Sequence, residues 1–168
     1  MGFSGSFIVA RAGRPLTELA AVRTADCTPL WSARDVAGWQ VLQACPITDP
    51  DPSLIDETHA SALVAHVVDS DFATVQAESP DGLSWQCALS PEMARDYGLP
   101  GEWIGDAAEV GERAESWARG AGLRPDIVAL RAALAAECDP LAEDLVFALL
   151  HALGFRFHDG TDLQPPAV

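Results

Sequence analysis

From Ala62 to Leu89 the chain reads ALVAHVVDSDFATVQAESPDGLSWQCAL, with apolar residues recurring at every second position and turn residues breaking the run twice. A period of two belongs to extended backbone, whose successive side chains point to opposite faces. In LSWQCAL, Leu83, Trp85, Cys87 and Leu89 fall on one side and Ser84, Gln86 and Ala88 on the other. In FATVQAES, Ala73, Val75 and Ala77 oppose Phe72, Thr74, Gln76 and Glu78. One dry face and one partly wet face are what an antiparallel sheet presents. Ser79-Pro80-Asp81-Gly82 places proline where a type I turn favours it and glycine where φ must become positive. Asp69-Ser70-Asp71 offers side chains that bond nearby backbone amides. ALVAHVV fits the end of a helix or a strand; its β-branched content and the following Asp-Ser-Asp favour strand, the first of a three-strand meander.

Two earlier segments extend this sheet. SFIVARA (Ser6–Ala12) is short and apolar, and GWQVLQAC (Gly38–Cys45) is partly apolar on both faces, as an inner strand should be. The segment between them, with Pro15 and Pro29, reads as irregular, and PITDPDPS (Pro46–Ser53) as a loop. Ser53 is a candidate cap for a short helix over Leu54–Ala60, with Asp56 and Glu57 in its first turn.

After Ser90 the pattern turns helical. Pro91 starts a helix that stops at Gly98. Asp106 caps a helix to about Arg119 whose stripe is Ala107, Val110, Ala114 and Trp117. Pro125 or Asp126 opens the next, carrying Ile127, Leu130, Leu134 and Cys138. Asp139-Pro140 closes that helix and starts the last, which is apolar nearly all round, ends at Gly154 and should be the most buried element. The expected fold is a single α+β domain over residues 1–155. Residues 1–90 supply a mostly antiparallel sheet of about five strands, and residues 91–155 supply three to four helices packed on one face, with the last helix central. Residues 156–168 read as a loose tail.

A chain of 168 residues buries enough surface to fold without a disulfide or a metal. Cys27, Cys45, Cys87 and Cys138 stand far apart with no CxxC pair, and read as free thiols, Cys87 and Cys138 as core residues. Met1–Ala12 lacks the basic start and long apolar centre of a signal peptide, so a cytoplasmic location is expected. The formal charge is −15, from 25 acids and 10 arginines with no lysine. The excess is spread evenly, 11 acids against 4 arginines up to Ser90 and 14 against 6 beyond it. No basic stripe is present to neutralise phosphates, which argues against nucleic acid and against an anionic membrane surface. A basic protein partner suits such a charge.

Few residues mark a site. His66, Asp69 and Asp71 form the densest polar group, and a histidine with two carboxylates can hold a divalent cation if all three converge. The competing reading is that the two aspartates only serve a turn. Trp31 and Trp103 lie in expected loops, PLWSA and GEWIG, where an indole either anchors a partner or folds back as a lid. His151 suits a helix C-terminus, and Gly154 separates it from His158. No nucleophile elbow, phosphate-binding glycine loop or HExxH appears, so no catalytic residue and no cofactor is assigned.

The succession GFSGSFIVARAGRPLTEL, GWQVLQ, VVDSDFATVQAESPDG and AEDLVFALLHALGF resembles an uncharacterised family of small acidic actinobacterial proteins. The likeness covers most of the chain, implies one continuous unit and brings no activity with it. The sequence thus favours an acidic, non-enzymatic interaction module that binds and neutralises a basic protein, as immunity proteins do with toxins. The alternative is a small enzyme or ligand-binding domain with a pocket between sheet and helices, built on His66, Asp69 and Asp71.

Overall fold

Strand β1, Gly5–Arg11, is buried along six of its seven residues because it lies inside the sheet and is covered on both sides. The computed structural model describes residues 2–50, 53–139 and 141–157. In it β1 pairs antiparallel with β3 (Trp39–Cys45) on one side and β4 (Ala62–Val68) on the other. Strand β2 (Thr28–Arg34) adds to β3, while β5 (Phe72–Glu78) and β6 (Ser84–Leu89) complete the meander from β4. The result is a six-stranded antiparallel sheet in the order β2-β3-β1-β4-β5-β6.

The sixth strand is β2, in the segment expected to be irregular. Pro29 disguised it. A proline cannot donate to a ladder and is tolerated at a sheet edge. Here β2 is an edge strand, and its register shifts between Pro29 and Trp31. The same stretch contributes a 3-10 turn at Leu16–Glu18 and a short helix α1 at Ala20–Arg23.

Both turns of the meander form as their residues demand. The Asp71 N–H bonds Val68 O at 2.9 Å across Asp69 and Ser70, whose φ values are 51 and 61 degrees. Positive φ at both central positions matches the right-handed twist of a hairpin. Gly82 has φ of 87 degrees, and its N–H bonds Ser79 O at 2.9 Å.

One face of the sheet carries the three main helices: α4 (Ala107–Gly120), α5 (Ile127–Ala135) and α6 (Ala142–Leu153). Asp106 and Asp126 cap α4 and α5 by accepting backbone N–H bonds from Ala108 and from Val128 and Ala129. The dry core lies here, with Phe7, Val41, Val75, Trp117, Leu149 and Leu153 among its members. Helix α6 packs on β4, β5 and β6 and on α5, which lies between it and α4. Its start differs from expectation. Pro140 lies outside the described residues, Leu141 supplies no side-chain cap, and the Ala142 N–H bonds Ser70 O at 2.8 Å instead.

Helix α3 (Pro91–Asp96) packs on the opposite face, where Ala94 meets Phe72 and Ala88. All helices of the second half were expected on one face. Strand β6 is followed by Ser90 at φ 58 degrees, and the chain then covers that end of the second face. There α1 and helix α2 (Leu54–Thr58) cover the other end over Ile8, Ala10 and Leu42. Ser53 caps α2 as expected. Cys138 is not on a helix stripe, since α5 ends at Ala135. Its thiol lies in the α5–α6 connection, 2.9 Å from Asp71 O. Most of the expected tail, including His158, lies outside the described residues; Phe157, inside them, stacks on Phe155 at 5.7 Å.

Candidate functional site

The alternation that buries one face of β4, β5 and β6 sends Val64, His66, Thr74, Gln76, Gln86 and Glu78 to the other. The short elements on that side leave these residues partly or fully exposed between the α1–α2 cover and α3. Two clefts border this face, the first of them running round the β6 edge to the start of α4. One, of about 420 Å³, is lined by Gln76, Glu78, Ser84, Trp85 and Gln86 of the sheet and by Glu102, Asp106, Glu109 and Arg113 beyond it. The other, of about 310 Å³, lies between the sheet and the start of α2, and Asp49, Leu54, Val64, Gln76 and Glu78 line it. Gln76 and Glu78 border both, so the two form one groove along the same end of the sheet. Its charged walls are five carboxylates against one guanidinium.

Local sequence explains the placement of these acids. Glu78 is the last wet-face position of β5 and sits opposite Ser84. Asp106 is the N-cap of α4 and Glu109 is in its first turn, where the helix dipole favours negative charge. Glu102 belongs to a 3-10 turn, Gly101–Trp103, and its carbonyl accepts a 3.5 Å bond from Gln86 Nε2. Each acid is ordinary in its own segment. Only the packing of α4 and the 3-10 turn against β6 makes them one wall, and that is why sequence spacing did not reveal them. Trp103 ends that turn, half-buried, and belongs to none of the three apolar clusters among the described residues. Trp31 is in strand β2 and not in a loop; its ring packs edge-on to Phe147 at 6.0 Å.

The structure does not bring His66, Asp69 and Asp71 together on one ligand. The Asp69 carboxylate accepts the Gly2 N–H at 2.7 Å. The Asp71 carboxylate accepts the Tyr97 hydroxyl, and that bond is the first cause of a Tyr97 pKa above the usual phenol value, with burial and the Asp71 and Asp69 charges adding to it. Among the described residues no group of three histidines, cysteines or acids is arranged to hold a metal. The turn is instead a junction: Ser70 Oγ accepts the Phe3 N–H at 2.8 Å and donates to Glu143 Oε1 at 2.8 Å.

His66 turns to the wet face and joins a different chain of bonds. Its Nδ1 lies 2.8 Å from Ser6 Oγ and its Nε2 lies 2.7 Å from Asp49 Oδ1. Serine, histidine and aspartate stand in the same order as in a hydrolase triad, but the exposure is inverted. A nucleophile must be open to substrate while the orienting carboxylate is buried. Ser6 is 0% exposed and bonded to the Thr48 N–H at 2.9 Å, whereas the Asp49 side chain is 80% exposed. The arrangement fastens the loop after β3 onto the sheet. No local spacing announces it, because Ser6 and His66 are 60 residues apart.

Burial pushes the Cys87 thiol up to about 12, and burial followed by the Asp26 charge raises Cys27. Thiols so disfavoured as thiolates are poor nucleophiles. No helix among the described residues is long and apolar enough to cross a membrane. Comparison with protein-family models, curated proteins and solved structures finds no match.

Proposed function

We propose that this protein is an acidic, non-enzymatic interaction module that binds a basic protein partner in the groove over β5 and β6, neutralising it in the manner of immunity proteins. The observation that carries the reading is the groove itself: Asp49, Glu78, Glu102, Asp106 and Glu109 line it, with Arg113 the sole basic residue among the residues that line it. Concave walls of one sign focus the potential and speed encounter with a partner of the opposite sign. Gln76, Gln86 and Ser84 on the floor supply donors and acceptors that fix register rather than affinity. Trp103, half-buried beside Glu102, supplies an aromatic surface of the kind that anchors interfaces.

The test is retention of proteins from a native lysate on the immobilised chain, alongside a variant carrying Glu102→Gln, Asp106→Asn and Glu109→Gln. Asparagine keeps the α4 cap, so the variant should fold. The reading expects a basic protein held at low salt by the native chain, released at about 0.5 M salt, where screening shortens the reach of charge, and not held by the variant. Retention that is equal for both chains, or indifferent to salt, overturns it.

A further inference from the structure

A third cleft, of about 560 Å³, opens on the other side of α2 and has the opposite chemistry. Arg11, Gly13, Arg14 and Gly38 line it together with Glu57 and Thr58. Arg11 ends β1, and its side chain runs beside Gly38, where an added Cβ would come within 4.0 Å of Arg11 Nε. Among the described residues the Arg11 guanidinium has no hydrogen-bond or ion-pair partner, although the chain carries 25 acids.

The loop after β1 is shaped by a buried side chain. Gln40 Nε2 donates to Ala12 O at 3.0 Å and to Arg14 O at 2.8 Å, and Gln40 Oε1 accepts the Leu16 N–H at 3.2 Å. A trans peptide points its N–H opposite to its C=O. Drawing the Ala12 carbonyl inward to Gln40 therefore turns the Gly13 N–H outward, and among the described residues it meets no acceptor. A Cβ added at Gly13 would touch nothing within 4 Å, so the side on which a side chain would stand is open. Arg14 is held in place by Glu57 at 2.5 Å. The acid in this cleft is already engaged: Glu57 also accepts the N–H groups of Ala21 at 3.0 Å and Ala20 at 2.9 Å.

We infer that this cleft binds a small oxyanion, a phosphate or carboxylate group, between the Arg11 and Arg14 guanidiniums and the Gly13 N–H. Arginine forks match both anions, and an outward backbone amide adds a fixed donor. The site is separate from the acidic groove and does not depend on the function proposed for it.

Inorganic phosphate and acetate are the probes, each titrated into the 15N-labelled chain with amide shifts followed by NMR. At least one should give saturable shifts centred on Gly13 and Gly38, and which one does so names the anion. Arg11→Gln should weaken that binding at least about tenfold, the loss expected for a charge-assisted contact, while Arg113→Gln, at the remote groove, leaves it unchanged. Arg11 makes no contact that the fold needs, so an unchanged melting temperature shows the variant intact. Saturation by neither probe, shifts centred elsewhere, or equal loss in both variants overturns the assignment.

Discussion

The two faces of the sheet are built on different principles. The face under α4, α5 and α6 is a continuous apolar layer in which Trp117 is 0% exposed and belongs to one cluster with Phe7, Val75 and Leu149. The opposite face has two small apolar clusters at its ends, one with Ile8 and Leu42 and one with Phe72 and Ala88. Between and beside them lie polar side chains that are bonded internally, such as Ser6 and Gln40, or left open, such as Gln76 and Glu78. The first face supplies stability, and the second, joined at the β6 edge by the start of α4, supplies surface. A sheet that kept its second face fully covered would offer no clefts.

The largest effect should come from the dry face. Trp117→Ala removes a fully buried ring and its 2.9 Å bond to Glu78 O, and should cost about 3–5 kcal/mol, read by urea unfolding. On the opposite face Gln40→Ala should cost about 2 kcal/mol, because the Leu16 N–H and the Ala12 and Arg14 carbonyls lose their partner together. A loss as large as that of Trp117→Ala would mean that the faces share the stabilising role. Gln43 sharpens the contrast from within. It points to the dry side of β3, and its Oε1 is buried without a partner among the described residues. Gln43→Leu should leave stability unchanged or raise it by about 1 kcal/mol; a loss above that size would reveal a polar role for this face.

The smallest effect concerns acid. Bonds from the Ala21 and Ala20 N–H groups, with the Arg14 charge, hold the Glu57 carboxyl below its ordinary value of 4.5. A carboxylate with a lowered folded pKa contributes stability above its unfolded value and loses it as pH falls through the folded value. The difference between the native chain and Glu57→Gln should therefore be constant at neutral pH and shrink below about pH 4.5. Thermal melts between pH 3 and 7 read it. A difference that persists at pH 3 would remove the charge-based account of how α2 is tied to α1.

The meander was legible from alternation, β-branched content and turn residues: β4 has the expected bounds, β5 ends one residue earlier than FATVQAES, and β6 begins one residue later than LSWQCAL. Asp106, Asp126, Ser53 and Gly154 acted as helix punctuation where expected. Strand β2 was hidden because Pro29 and a register shift erase its period, and α3 changed face because nothing in PEMARD specifies which side of the sheet its few apolar residues meet. The site residues were less legible. His66, Asp69 and Asp71 stand close in sequence, yet their bonds run to Ser6 and Asp49, to Gly2 and to Tyr97. The groove acids come from the loop after β3, from β5, from the 3-10 turn and from the start of α4, and only tertiary packing makes them neighbours.

The division of labour between the faces is tested most directly by mapping a defined cation on the whole molecule. An arginine-rich peptide titrated into the 15N-labelled chain at low salt should shift amides at Gln76, Glu78, Ser84, Gln86 and Glu102 through Glu109, and leave α5 and α6 unmoved. Shifts spread evenly over all acidic surfaces, or centred on α5 and α6, would contradict the claim that the open face and the adjoining start of α4 carry the binding surface.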